Sequence, residues 1–505
     1  MTQTDATRIA RGSAYLVAER VATMVLRVVA FAFVARTLTE VEMGVRVALT
    51  LTLSVALLLS DLGFSGGVAK HIAEYRGRNA DYSPLTFSGI SLKTLTAGFI
   101  AVICAVASQQ LSELLLKSGE YAVIFQFLSI YLLLACMNMT MNSLLQGLNK
   151  IREMAVLTIL GTFTRAISVI ALLMYGYGLV GLTMGWFLGD LIYTILSTSI
   201  LVKGRYVRKH STREIISHLK MLSKFSWPLF LVGVVVFLYN WFDQAVLLAY
   251  VPLSEVALYS VALQAFGVLS LMPAALSTTL LPYYSEQYGK NKHENIVIGV
   301  RAATRYISLL YTPLAVGLMI TANPVITFFA GSFYARADII LGILSLVGGI
   351  SGISAALGVL LLVYNMTPAL LLINIVSVGG SMALSPVLLP YLGVTGMAII
   401  KGMAMIILLV LAVIVLKKRV LIEFDREAMW KGWVAAIIMA VAVGLVEQVH
   451  FSAYLLPAYI LVGAVTYIGA LRVLKAVDQD DLKLVRNLLG KRAGFVADTL
   501  EKIFM

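Results

Sequence analysis

The 505-residue chain is 60% apolar and 13% charged, where a soluble chain would carry about a quarter charged residues. Its apolar residues fall in runs of about twenty, the length that crosses a bilayer core as helix, which excludes a soluble globular protein. The net charge of +13 is therefore read as a topology signal and not as a nucleic-acid footprint.

Taken in order, the chain offers fourteen candidate spans, near 13–36, 44–66, 86–108, 121–146, 153–175, 179–202, 226–250, 256–281, 303–325, 338–363, 368–388, 394–416, 432–449 and 453–473. The fold class is an all-α polytopic membrane protein. Lys and Arg crowd the N-terminus, the C-terminus and alternate loops, whereas the opposite loops hold only Arg36, Lys117 and Arg336. Basic loops stay on the cytoplasmic side, so both termini are expected in the cytoplasm of a multi-pass cell-membrane protein. The first run carries Glu19, Arg20 and Arg27 and leads straight into more spans, unlike a cleavable signal peptide. Cys104 and Cys136 sit inside apolar runs and read as buried thiols.

A repeat runs through this pattern. Leu38, Glu40 and Val41 match Leu253, Glu255 and Val256; Glu74, Gly77 and Asn79 match Glu286, Gly289 and Asn291. Asn149 matches Asn365, and Gly178 and Gly181 match Gly393 and Gly396. The offset is close to 215 residues throughout, which covers six spans and makes the repeat parallel. The expected organisation is an N-lobe at 1–202 (spans 1–6), a cytoplasmic linker at 203–225, a C-lobe at 226–417 (spans 7–12), two extra spans at 418–475 and a cytoplasmic tail at 476–505. Two such lobes are expected to face a central cavity. Tyr206–Phe225 and the tail from Asp478, with Leu482, Val485 and Leu489 at helical spacing among Lys483, Arg486, Lys491 and Arg492, look amphipathic. They read as surface helices on anionic lipid or as plain solvated segments.

Charges inside spans are costly, about 2.5–3.5 kcal/mol each on insertion scales. Arg20 and Arg27 lie seven apart on span 1 and share a face about Thr23. Arg165 is near the middle of span 5, Asp190 on span 6, Asp243 on span 7 and Lys401 on span 12. The offset aligns Arg27 with Phe242, beside Asp243, and places Asp190 within about a turn of Lys401. A cationic cleft for a phosphate or pyrophosphate follows, with Arg20, Arg27, Arg165 and Lys401 binding substrate. Asp243, Asp190 and Glu19 are then ion-coupling or charge-pairing groups, for a proton or sodium ion. The alternative is a set of ion pairs that pin helices together. Arg46 and Lys93 are expected to snorkel to an interface, and Asp61 to cap a helix end. Gly181, Gly185 and Gly189 read as a close helix contact. Prolines cluster in or beside the later spans as kinks. Asp478-Gln-Asp480 looks like a metal-binding carboxylate pair but stands in a short tail. No Walker loop, metal-ligand cluster or nucleophile elbow is present, so no enzyme activity and no metal are expected.

The run Ala35-Arg36-Thr37-Leu38, then Glu40 and Gly44, then Asp61-Leu62-Gly63-Phe64 and a basic loop, resembles the start of polysaccharide-export flippases. These are the Wzx-like O-antigen and teichoic-acid exporters of the multidrug/oligosaccharidyl-lipid/polysaccharide superfamily. Glu255-Val256-Ala257-Leu258-Tyr259-Ser260-Val261-Ala262 through Pro282 is similar to their second-half segment. The resemblance implies alternating access, with a polyprenyl-linked oligosaccharide carried from the inner to the outer leaflet. It implies as partners that lipid, the membrane lipids and glycan-assembly proteins, and no nucleic acid or cofactor beyond the coupling ion. A cation-coupled multidrug or metabolite exporter of the same superfamily and a peptidoglycan-precursor (lipid II) flippase are the competing readings. A glycan polymerase or ligase is disfavoured by the short outer loops.

Overall fold

The computed structural model describes residues 3–204, 206, 212–479 and 481. Arg208 and Lys209 of the linker, Asp480, and the tail residues from Leu482 onward lie outside the described residues, and with them most of the expected amphipathic tail, whereas residues 212–225 of the expected linker helix begin a long helix in which Leu222 is buried. Every regular element among the described residues is helical. The first unit, Met1–Ala257, holds α1 (Gln3–Thr37), α2 (Glu40–Asp61), α3 (Phe64–Gly77), α4 (Ser83–Val106), α5 (Ser108–Leu116), α6 (Ala122–Gly147), α7 (Ile151–Met174), α8 (Gly178–Lys203), α9 (Thr212–Tyr250) and the start of α10 (Leu253–Phe266). The second, Leu258–Met505, holds the rest of α10, then α11 (Leu271–Gly289), α12 (His293–Tyr306), α13 (Thr312–Ile320), α14 (Ala322–Ala330), α15 (Asp338–Ser351), α16 (Ser354–Val363), α17 (Thr367–Lys417), α18 (Arg426–Val449) and α19 (Leu456–Val473).

Twelve helical segments among the described residues are long and apolar enough to cross a membrane. One of them, α17, is a helical hairpin. Gly393 leaves the helical region at φ 54°, ψ −141°, and Ser377 Oγ donates to the Ala404 carbonyl at 2.6 Å across the bend. Helix α1 has the length to cross as well, at 35 residues, but carries Glu19, Arg20 and Arg27 in its middle. With α17 read as two crossings and α1 included, the fourteen expected spans are accounted for. Two of them are interrupted. The span expected at 256–281 turns through a 3-10 segment at Gly267–Ser270, and that at 338–363 breaks between Ser351 and Ser354.

The identities that mark the repeat fall where the backbone is most demanding. Asn79, Asn149, Asn291 and Asn365 all have φ between 53° and 57°. Each follows a helix C-terminus, and the next amide reaches back to a carbonyl five residues earlier, as Lys150 N does to Leu145 O at 2.8 Å and Met366 N to Leu361 O at 2.7 Å. Asparagine tolerates this left-handed position because its short polar side chain bonds locally. Gly178 and Gly393 also have positive φ. A Cβ on Gly181 would meet Tyr177 Cβ at 2.9 Å, and one on Gly396 would meet Leu392 Cβ at 2.9 Å, a matched pair of tight turns.

The boundary between units follows packing, whereas the expected linker follows the repeat. Helix α9 packs on α2, α3 and α4 in the first unit. Glycines allow the approach: a Cβ on Gly63 would lie 2.5 Å from the Ser226 carbonyl, and one on Gly44 2.3 Å from the Leu253 carbonyl.

In the second unit, α18 and α19, outside the repeat, attach at a proline break. Pro313 has no N–H to give the Leu309 carbonyl, and the chain widens into a π turn over Ile307–Tyr311. Tyr467 of α19 fills the gap by donating its hydroxyl to Leu309 O at 2.9 Å. Gly432 of α18 sits against the Ser308 carbonyl, where a Cβ would come within 2.6 Å.

Candidate functional site

Arg20 and Arg27 lie on one face of α1 and are both exposed. Thr23 between them is buried, and its hydroxyl returns to the Arg20 carbonyl at 3.2 Å. Glu19, half-buried, is within electrostatic reach of both arginines. Neither guanidinium makes a hydrogen bond or ion pair with another described side chain. The face they occupy flanks the apolar stripe Val17, Val21, Val25 and Val29. Helix α1 packs along α7, which carries Arg165.

Arg165 and Asp190 come together where α7 and α8 are closest. A Cβ on Gly185 would lie 2.4 Å from Val169 Cγ2 and one on Gly189 2.5 Å from Arg165 Cβ, so the glycine steps on α8 are a close helix contact, as expected from their spacing. From that contact Arg165 forms an ion pair with Asp190 through Nη2. The same Nη2 donates to Tyr131 on α6 at 3.0 Å, and the Tyr131 hydroxyl donates to Asp190 Oδ2 at 2.8 Å. Asn138 donates to the Asp190 carbonyl at 3.2 Å; Thr194 donates to that carbonyl at 2.8 Å and to Asn138 Oδ1 at 2.5 Å. Tyr193 donates to Asn142 at 2.6 Å one turn further on. Tyr131, Asn142 and Thr194 were not singled out from the sequence, and Asn138 stood out only as part of an Asn138-Met-Thr140 glycosylation-type triplet inside a span. Their signal was there in principle, as polar residues at helical spacing on α6 and α8.

Asp243 is fully buried on α9, with Oδ1 accepting from the Gln244 amide at 2.9 Å. Lys401 is buried on α17 in the second unit. Cys136 is buried, Cys104 half-buried, and both are free.

Lys93 corrects an expectation. It does not snorkel: its side chain is 1% exposed, ion-paired with Asp61 and donating to Ser65 Oγ at 2.7 Å. A lysine in the middle of a packed helix face cannot reach an interface, so it takes the nearest carboxylate, and Asp61 is held at the break between α2 and α3 where Leu62 and Gly63 have positive φ. Asp61 also caps α3, accepting from the Ser65 amide at 3.3 Å. Arg46 is half-buried with its guanidinium 4.9 Å from the Phe31 ring centroid.

A second cluster closes the end of the second unit. Arg305 reaches Asp425, the N-cap of α18, at 3.2 Å, Asp481 at 2.6 Å, the Ala476 carbonyl at 3.0 Å, and Asp478. Asp478 therefore belongs to a clasp, while Asp480, the other member of the carboxylate pair, lies outside the described residues. The hydrogen bond of Asp478 to Asp481, then burial, push the Asp478 carboxyl up. Burial pushes Asp481 up most strongly of any single cause, but the hydrogen bonds from Arg305 and Asp478 and the Arg305 charge together outweigh it and hold Asp481 below the usual carboxylate value. No group of three or more His, Cys, Asp or Glu placed to hold a metal occurs among the described residues.

A family model described as polysaccharide biosynthesis protein matches residues 9–287, more than half of the chain. The chain belongs to that family. The matched stretch contains Arg20, Arg27, Arg165, Asp190 and Asp243. A Haloferax volcanii protein named a probable low-salt glycan biosynthesis flippase, Agl15, is 23% identical over 420 residues, covering 82% of this chain and 85% of its own. Among solved structures, the lipid II flippase MurJ in an inward closed conformation matches with TM-score 0.75 at 17% identity, over 94% of this chain and 100% of that one. An inward-facing multidrug resistance MATE transporter matches with TM-score 0.64 at 13% identity, over 83% and 95%. The family member thus has the fold of the multidrug/oligosaccharidyl-lipid/polysaccharide superfamily.

Proposed function

We propose that the protein is a flippase that moves a lipid-linked oligosaccharide, on a polyprenyl phosphate or pyrophosphate carrier, from the inner to the outer leaflet by alternating access, for polysaccharide or glycan export. The observation that carries this reading is the pair Arg20 and Arg27. Two guanidinium groups sit exposed on one face of a membrane-length helix, with no described side chain bonded to either, at an insertion cost of about 2.5–3.5 kcal/mol each. Such groups suit an anion that must pass through the membrane, and an arginine binds phosphate in bidentate fashion. The glycan-flippase relative and the family membership support the same cargo class.

Arg20, Arg27 and Arg165 would receive the phosphate in the first unit, and Lys401 is the substrate-binding candidate of the second. Asp243 is the carboxylate for a coupling proton or sodium ion, with Glu19 beside the arginines. Asp190 fits charge pairing. Both termini are cytoplasmic, in keeping with the basic loops.

The test is lipid flipping by the full chain in proteoliposomes. Arg27→Ala and Arg20→Ala should each slow flipping of a lipid-pyrophosphate oligosaccharide roughly 10-fold or more, the loss of one charge-assisted hydrogen bond to the phosphate. Arg27→Lys should retain more activity than Arg27→Ala. Unchanged rates in both alanine variants would remove the arginines from the cargo path.

A further inference from the structure

The Arg165 guanidinium is held by one corner only. Nη2 meets both the Asp190 carboxylate and the Tyr131 hydroxyl, and Tyr131 itself donates to Asp190, which closes a triangle between α6, α7 and α8. Nη1 makes no hydrogen bond with a described residue, and Nε is buried without a partner. The Arg165 side chain is still 38% exposed, against 13% for Asp190. It does not stand on the outward apolar face of its helix. The outward apolar stripe of α7 is Val156, Leu160, Phe163 and Ile167, and Arg165 lies on the opposite face by helical phase. Gly189, pressed against the Arg165 Cα and Cβ, fixes the base of the side chain, while Asn138 and Thr194 fix the Asp190 backbone.

We infer that Tyr131 and Asp190 are positioning residues: they orient Arg165 so that its unbonded Nη1 amino group receives the anionic phosphate or pyrophosphate group of the cargo. This rests on the reading of Arg165 given above. It makes Asp190 an anchor for the guanidinium in place of an ion-coupling group. A simple helix pin would bury the whole guanidinium and satisfy its donors within the bundle, whereas here both Nη1 N–H groups are left over, besides the buried Nε–H.

The two residues can be separated from a general charge effect. Tyr131→Phe removes one hydroxyl and no charge. Asp190→Asn removes a negative charge near an anion site, which by itself would draw an anion in. The affinity of the detergent-solubilised full chain for undecaprenyl pyrophosphate is measured, with uncharged undecaprenol as control and the melting temperature followed in parallel. Tyr131→Phe should weaken binding about 3- to 10-fold, the loss of one hydrogen bond. Asp190→Asn should also weaken it, about 10-fold, despite the favourable charge change, and Asp190→Glu should restore most of the affinity. Binding of undecaprenol should not move. If Arg165→Ala weakens binding while Tyr131→Phe and Asp190→Asn bind as wild type or tighter, the positioning role is overturned and the triangle is a helix pin. If Arg165→Ala itself binds as wild type, the reading of Arg165 as a phosphate contact falls, and this inference with it. Should Asp190→Asn fail to fold, Tyr131→Phe alone decides.

Discussion

Lys93 and Arg27 are both single cations in long apolar helices, and the structure treats them in opposite ways. Lys93 is sealed against Asp61 and Ser65; Arg27 stands exposed with no described side chain bonded to it. Each charge was visible in the sequence. Their fates were not, because the carboxylate that decides the matter for Lys93 lies 32 residues away and meets it only after α2 breaks at Leu62. Removing one partner of a buried pair strands the other. Lys93→Met should therefore destabilise the protein by about 3–5 kcal/mol, read as denaturant or thermal unfolding in detergent, and Lys93→Met with Asp61→Leu should recover most of it. The Arg305 clasp gives a second residue-level prediction. Asp481 titrates below its unfolded value, so its contribution is complete at neutral pH and fades as pH falls below about 4. Asp478 titrates above its unfolded value, so its ionised form opposes folding at neutral pH and that penalty disappears once the group is protonated in acid. At pH 7, Asp481→Asn should lower the melting temperature, whereas Asp478→Asn should leave it unchanged or raise it.

Helix ends and helix breaks were the most legible elements. The repeated asparagines and glycines were found as weak identities at one offset, and for the four asparagines and for Gly178, Gly181, Gly393 and Gly396 the structure gives the reason: each sits where φ is positive or where two turns press together, whereas Gly77 and Gly289 meet no such demand. Asn149→Gly should thus be tolerated, while Asn149→Val should cost about 1–2 kcal/mol through the left-handed backbone alone. Prolines were legible as kinks, but what satisfies the freed carbonyl was not. Pro313 and Tyr467 are brought together by packing of α19 against the π turn, and no spacing rule links them. Tyr467→Phe should leave Leu309 O unpaired in an apolar surround and cost about 1–3 kcal/mol, measured as a fall in melting temperature with α-helical content unchanged. The glycine steps on α8 were read correctly because small residues every fourth position have few other uses in a span. The polar network beyond them was hidden, since Tyr131, Asn138 and Thr194 are common residues whose meaning lies in which helix faces which.

At the scale of the whole molecule, composition and loop charge carried most of the reading. Fourteen crossings, a parallel six-span repeat and two further helices are properties of hydrophobic period and offset, and these survive any error of a few residues at a boundary. The division into compact units was less legible, because it depends on where α9 finds its glycine contacts and not on where the repeat restarts. Cargo identity is a chemical question posed by the arginines. The most direct measurement loads wild-type proteoliposomes symmetrically with a fluorescent lipid-pyrophosphate oligosaccharide, destroys the outer-leaflet label chemically, and offers an ethidium-type cation in a parallel experiment. The account predicts that the inner-leaflet pool becomes accessible to the reagent while the cation stays put. A lipid pool that remains protected, with the cation exported under a proton gradient, would contradict the account and make the protein a drug antiporter whose membrane arginines serve only its own helices.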